Sequence, residues 1–172
     1  NASFGGCISS EGSLTISKTT LKNCTATNIG GGIYVGGNLT ISNSTIQNNT
    51  ALNGGGLYID NSVLPELTVN IEATTISDNT ATNEGGGINV SHSGVIKIKT
   101  SKISGNTAKD GGGFVISGGT LEVKDSTVAA NYAKEAAGGF KLTGDGKLNI
   151  LNSVITIPAS LCGCRLMRMG RQ

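Results

Sequence analysis

The chain has 172 residues, of which 37% are hydrophobic, 3% aromatic and 14% charged, with a formal net charge of +2. So few charges argue against a disordered polyelectrolyte, and no run of about 18 apolar residues exists to form a membrane-spanning helix. The three arginines stand at 165, 168 and 171; removing them from +2 leaves −1, so the body lacks the basic face that nucleic-acid binding needs.

A short phrase organises the chain from its start. It opens as Gly-Gly-Cys-Ile at 5–8 and recurs as Gly-Gly-Gly-Ile at 30–33, Gly-Gly-Gly-Leu at 54–57, Gly-Gly-Gly-Ile at 85–88 and Gly-Gly-Gly-Phe at 111–114. Ala-Gly-Gly-Phe at 137–140 closes the series. A period of about 25 residues marks a solenoid, whose units bury their apolar faces against one another.

Each unit reads alike from its phrase onward. Ile8, Ile33, Leu57, Ile88, Phe114 and Phe140 come first, followed two residues later by Ser10, Val35, Ile59, Val90, Ile116 and Leu142. After a turn of variable length stand Leu14, Leu39, Val69, Ile96, Leu121 and Leu148. Two further on are Ile16, Ile41, Ile71, Ile98, Val123 and Ile150. Leu21, Ile46, Ile76, Ile103, Val128 and Ile155 hold the fifth position. A spacing of two is the period of a strand with one buried face, and Gly, Asn, Asp and Ser cluster between the strands as turns require.

The pattern predicts an all-β fold: a right-handed single-stranded parallel β-helix of about six coils, with three short strands per coil, spanning 1–157. Six coils at ~4.8 Å give a rod about 29 Å long. Residues 158–172 leave the repeat and read as a basic tail or a cap. The longest turn, 60–68, marks a face from which loops project.

Two further columns complete the unit. Cys24 is followed at the equivalent position by Asn49, Asn79, Asn106 and Asn131. These asparagines are expected to point inward at a bend, each amide bonding the backbone and the amide above it. Ala26, Ala51, Ala81, Ala108 and Ala133 are expected to let the wall bend. Cys7 replaces a glycine of the phrase and Cys24 an asparagine; both read as small buried residues, with a disulfide between them the less favoured reading. Cys162 and Cys164 read as a free pair.

The repeat resembles the polymorphic outer membrane protein (Pmp) repeat, which pairs a Gly-Gly-Ala-Ile/Leu/Val phrase with Phe-x-x-Asn. Here the pairs are the phrase at 30–33 with Ile46-Gln47-Asn48-Asn49, then Ile76-Ser77-Asp78-Asn79, Ile103-Ser104-Gly105-Asn106 and Val128-Ala129-Ala130-Asn131. The third phrase residue is Gly rather than Ala, and Phe is replaced by Ile or Val. The resemblance covers roughly 5–155 and implies a surface-exposed or secreted autotransporter passenger acting in adhesion.

Candidate chemistry is sparse. Tyr34 and Tyr58 hold equivalent outward positions in adjacent units, and stacked rings can hold a sugar or a partner's side chain. Asp60 and Glu66 belong to the longest turn and complete the candidate partner-binding residues. Asp60, Asp78, Asp110, Asp125 and Asp145 fall at different repeat positions, and the body has no arginine, which argues against a polysaccharide lyase or hydrolase. His92 reads as an exposed turn residue. The expectation is a non-enzymatic extracellular or cell-surface segment that binds a host or cell-surface protein or glycan. It calls for no cofactor, metal, nucleic acid or membrane insertion. A polysaccharide-binding or polysaccharide-cleaving β-helix is the alternative.

Overall fold

Residues 2–60 and 66–156 are described by the computed structural model. The 158–172 tail, Cys162 and Cys164 lie outside these residues, as does most of the 60–68 turn. Alternating short apolar segments and turns build the first coil from β1 (Ala2–Phe4), β2 (Ile8–Ser10), β3 (Leu14–Ser17) and β4 (Thr20–Lys22). The same four strands recur in every coil, giving 24 among the described residues.

Each strand bonds its counterpart in the next coil, so four six-stranded parallel sheets run along the axis. Ile33 pairs with Leu57, Leu57 with Ile88, Ile88 with Phe114 and Phe114 with Phe140. The expected apolar columns therefore become files down the interior of a parallel β-solenoid. Ile33, Leu39, Leu57, Ile76, Ile96 and Ile103 are fully buried, and Phe114 stacks on Phe140 with ring centroids 5.1 Å apart.

The coil has four strands, not three. The extra one carries the alanine column, in strands such as Ala26–Ile29 and Thr80–Glu84. Alanine pairs with alanine from coil to coil, as Ala51 does with Ala81. Its methyl group is the strand's inward residue: Ala26, Ala51, Ala81 and Ala108 are only 2–3% exposed. The register then shifts at a bulge before the glycine phrase, so the period of two is cut short.

The bending falls to residues in the left-handed region. One such position is the first phrase residue, with Gly30 at φ 68° and Ala137 at φ 51°. A second follows the third strand of the coil (Lys18, Asn43, Ala73, Thr100, Asp125, Asn152) and a third precedes the asparagine column (Asn23, Asn48, Asp78, Gly105, Ala130). The second phrase glycine serves close approach instead: a β-carbon on Gly31 would lie 2.3 Å from the carbonyl oxygen of Gly55 in the next coil.

The asparagine column points inward, as expected. Asn49, Asn79, Asn106 and Asn131 are at most 1% exposed. From Asn79 onward each Oδ1 accepts from both the backbone N–H and the Nδ2 of the asparagine one coil earlier, at 2.9–3.0 Å, and Asn49 Oδ1 accepts the backbone N–H of Cys24 at 2.9 Å. The Nδ2 groups also donate to carbonyls of the strand before, as Asn106 does to Ile76 at 3.0 Å. A second inward ladder runs through Thr19, Ser44, Thr74, Ser101, Ser126 and Ser153. There each hydroxyl from Ser44 onward accepts the backbone N–H of the residue one coil earlier, at 3.0–3.4 Å. Each hydroxyl from Ser44 onward also donates to the carbonyl two residues back. Both ladders satisfy buried polar groups at corners that the sheets leave unpaired.

Cys7 and Cys24 form a disulfide, with Cα atoms 5.5 Å apart. This reverses the sequence expectation, and the repeat supplies the reason. The third phrase residue always faces the asparagine column: a β-carbon on Gly32 or Gly56 would lie 3.1 Å from the Nδ2 of Asn49 or Asn79. In the first coil, cysteine occupies both facing positions. Reduction is expected to cost about 3 kcal/mol, from the freed 17-residue separation. A denaturation midpoint that ignores reductant would contradict this.

Candidate functional site

The glycine corner folds the outer sides of the first two sheets toward each other. Phe4, at the end of β1, meets Tyr34 of the second sheet with ring centroids 5.6 Å apart and planes tilted by 40°. Farther along, Lys141 of the second sheet reaches Glu84 and Asp110 of the first. Asn89 and Val115, outward residues of the second sheet, are buried in the corner at 5% and 1% exposure. This corner between the two sheets runs along the rod and is filled by side chains over part of its length.

Its contents change with position. Ser9, Tyr34, Tyr58, Asn89, Val115 and Lys141 form one wall, each paired in register with the next. Tyr34 stacks on Tyr58 with centroids 6.2 Å apart and planes 21° apart, as the sequence led one to expect for adjacent outward positions. Three of the chain's six tyrosines and phenylalanines therefore gather at one end of this corner.

Asp60 lies beside these rings. Its carboxylate accepts a hydrogen bond from the Ser91 hydroxyl at 3.1 Å and stands 3.4 Å from His92 Nδ1. Ser91 Oγ is 2.9 Å from the same nitrogen. Serine and aspartate thus share one face of the imidazole. A proton relay needs them on opposite ring nitrogens, so this is a polar cluster and not a nucleophilic triad. His92 is exposed, as expected, but the sequence reading missed its neighbours. Glu66 stands apart: it is exposed and lines a shallow depression with Leu67, Thr68, Ser93, Gly94 and Val95.

The five aspartates do hold different repeat positions, but the sequence reading left out Glu84, which stands beside Asp110. Glu84 and Asp110 hold the same repeat position, just before the phrase, and pair in register. Lys141 Nζ bridges both at 2.9 Å, so the two carboxylates share one cation. No group of three or more potential metal ligands occurs among the described residues. The shared position is visible in the sequence, since each acid directly precedes its glycine phrase.

Burial pushes the Tyr34 hydroxyl above its ordinary value, with the negative charges of Asp60 and Glu11 adding to the rise. Burial does the same for Tyr58, offset by a hydrogen bond from Ser91. Hydrogen bonds to Asp110 and Glu84 raise Lys141. All three groups hold their protons more tightly when folded, so they favour the folded state until pH passes their ordinary values of 10.0 and 10.5; the gain is lost as pH rises through the raised values. The unfolding midpoint is expected to fall above about pH 10. The near-ultraviolet phenolate titration should show late ionisation that Tyr34→Phe partly removes. Ionisation of every tyrosine at its ordinary value would contradict the burial of these rings.

The family model for the right-handed β-helix region matches residues 6–163. The chain belongs to the right-handed β-helix family. Searches of curated proteins and of solved structures returned no match. Membership accounts for the stacked parallel sheets. In this right-handed β-helix the interior is filled by aliphatic files and polar ladders, which leaves the outer faces and the turns as its accessible surface.

Proposed function

We propose that this β-helix is a non-enzymatic, surface-exposed or secreted segment that binds a partner through its outer face, in the manner of an adhesin. The file of Phe4, Tyr34 and Tyr58 carries the reading. The coil needs no aromatic residue at these outward positions, and tyrosine supplies contact area with a polar end. The Cys7–Cys24 disulfide supports an oxidising compartment, where such bonds form and persist. The likeness of the repeat to the Pmp repeat supports the adhesin class and an autotransporter-type passenger.

The polysaccharide-cleaving alternative would draw on Glu84 and Asp110, whose charges Lys141 engages. The test is attachment of beads coated with the folded chain to cultured cells. Specific attachment, lost on Tyr34→Ala with Tyr58→Ala, is expected. Attachment unaffected by both changes, or cleavage of polygalacturonate by the purified chain, would overturn the reading.

A further inference from the structure

We infer that the outer side of the third and fourth sheets, over the last three coils, binds a linear sulfated glycan through a cluster of lysines. This goes beyond the aromatic file and does not depend on it. An exposed, salt-screened contact adds to attachment through the tyrosines without replacing it.

The repeat makes the cluster stand out. In the first two coils the outward positions of these sheets carry hydroxyls: Thr15, Ser17 and Thr20, then Thr40, Ser42 and Thr45. The fourth coil carries Lys97, Lys99 and Lys102 at the same positions. Lys124 pairs in register with Lys99, and Lys147 with Thr120. All five lysines are exposed. The coil needs no lysine here, and like charges on neighbouring strands, as at Lys99 and Lys124, repel. A bound polyanion turns that repulsion into attraction.

Charge is segregated although its net value is small. Thirteen basic residues less three arginines leave ten lysines against eleven acids. Five of those lysines and only Glu72, Glu122 and Asp125 belong to this face, which gives it +2; the other five lysines and eight acids give −3 elsewhere. The acids leave the lysines available. Glu72 pairs with Lys99 at 3.0 Å, an exposed contact of the weak kind that a polyanion can displace. Asp125 accepts a hydrogen bond from Asn152. Among the described residues, no carboxylate stands within ion-pair distance of Lys97, Lys102, Lys124 or Lys147.

The array also selects a class of ligand. Lysines two apart on a strand stand ~6.6 Å apart, and those on neighbouring strands ~4.8 Å. Ammonium groups spread over an open sheet suit a chain with many anionic groups, not one small anion. Nucleic acid fits less well, because no aromatic side chain lies on this face to stack a base. Thr120, Thr127 and Asn149 stand between the lysines and offer hydrogen bonds to sugar hydroxyls.

Calorimetry of the full chain with a heparin-derived oligosaccharide tests this. The account expects saturable binding that weakens with salt. Lys99→Gln, Lys102→Gln and Lys124→Gln together should weaken it roughly tenfold, the loss of three exposed ion pairs. Lys109→Gln with Lys134→Gln, on the first sheet, should leave it unchanged. Glu72→Gln with Glu122→Gln should tighten it, a gain that misfolding cannot imitate. No binding would overturn the inference, as would undiminished binding by the triple variant, the result expected if Arg165, Arg168 and Arg171 carried it. Equal loss on changing Lys109 and Lys134, or equal or tighter binding of the desulfated oligosaccharide or of single-stranded DNA, would also overturn it. Tyrosine-dependent cell attachment without oligosaccharide binding removes this inference alone.

Discussion

Ile76→Asp is expected to abolish cooperative folding. Ile76 is fully buried and pairs in register with Ile46 on one side and Ile103 on the other. A carboxylate there has no cation or water within the aliphatic file, and an uncompensated buried charge costs several kcal/mol. Loss of the isoleucine contacts adds about 2–5 kcal/mol. Together these rival the whole stability of an ordinary domain, about 5–15 kcal/mol. Coils communicate only with their neighbours, so a breach in the third coil also uncouples the two ends of the rod. Circular dichroism should show loss of the cooperative β-sheet melt. A wild-type melt would show that the side chain at 76 does not face the axis.

Asn106→Ala comes second in size. The sequence alone suggested about 1–3 kcal/mol for one buried polar group losing its bonds. The structure raises that expectation. Asn106 Oδ1 accepts both the backbone N–H and the Nδ2 of Asn79, and its Nδ2 donates to the Ile76 carbonyl and to Asn131 Oδ1. Truncation strips partners from three residues at once, in a corner where water has no entry. A loss of at least about 3 kcal/mol is expected by equilibrium denaturation, because each stranded buried group costs about 1–3 kcal/mol. Asn79→Ala should be strongly non-additive with it, since the two share their bonds. A neutral Asn106→Ala would mean that the ladder does not contribute to stability.

What was legible in the chain follows from what repeats at fixed spacing. The aliphatic files were readable because two inward residues per strand give a period of two, and the asparagine ladder because one polar type recurs at a fixed distance from them. The alanine-bearing strand was not, since it has a single small inward residue and ends in a bulge. The serine–threonine ladder escaped because two residue types are mixed in it, beside an outward file (Thr20, Thr45, Thr75, Lys102, Thr127) in which threonine predominates. The disulfide had a usable signal: Cys7 and Cys24 replace the two residues that face each other in every other coil. At the corner of the first two sheets, Tyr34 and Tyr58 were found by their shared position. Glu84 and Asp110 belong to one sheet and Lys141 to another, and they meet only once the corner is closed.

The stacking itself is tested most directly by distances between coils. Spin labels at Thr20 and Thr127, equivalent outward positions of the fourth sheet linked through Thr45, Thr75 and Lys102, stand four coils apart. Electron paramagnetic resonance should give a narrow distribution centred near ~19 Å, four rises of ~4.8 Å, broadened only by the label arms. A broad distribution, or a separation that grows with the intervening chain length instead of the coil count, would contradict the β-helix.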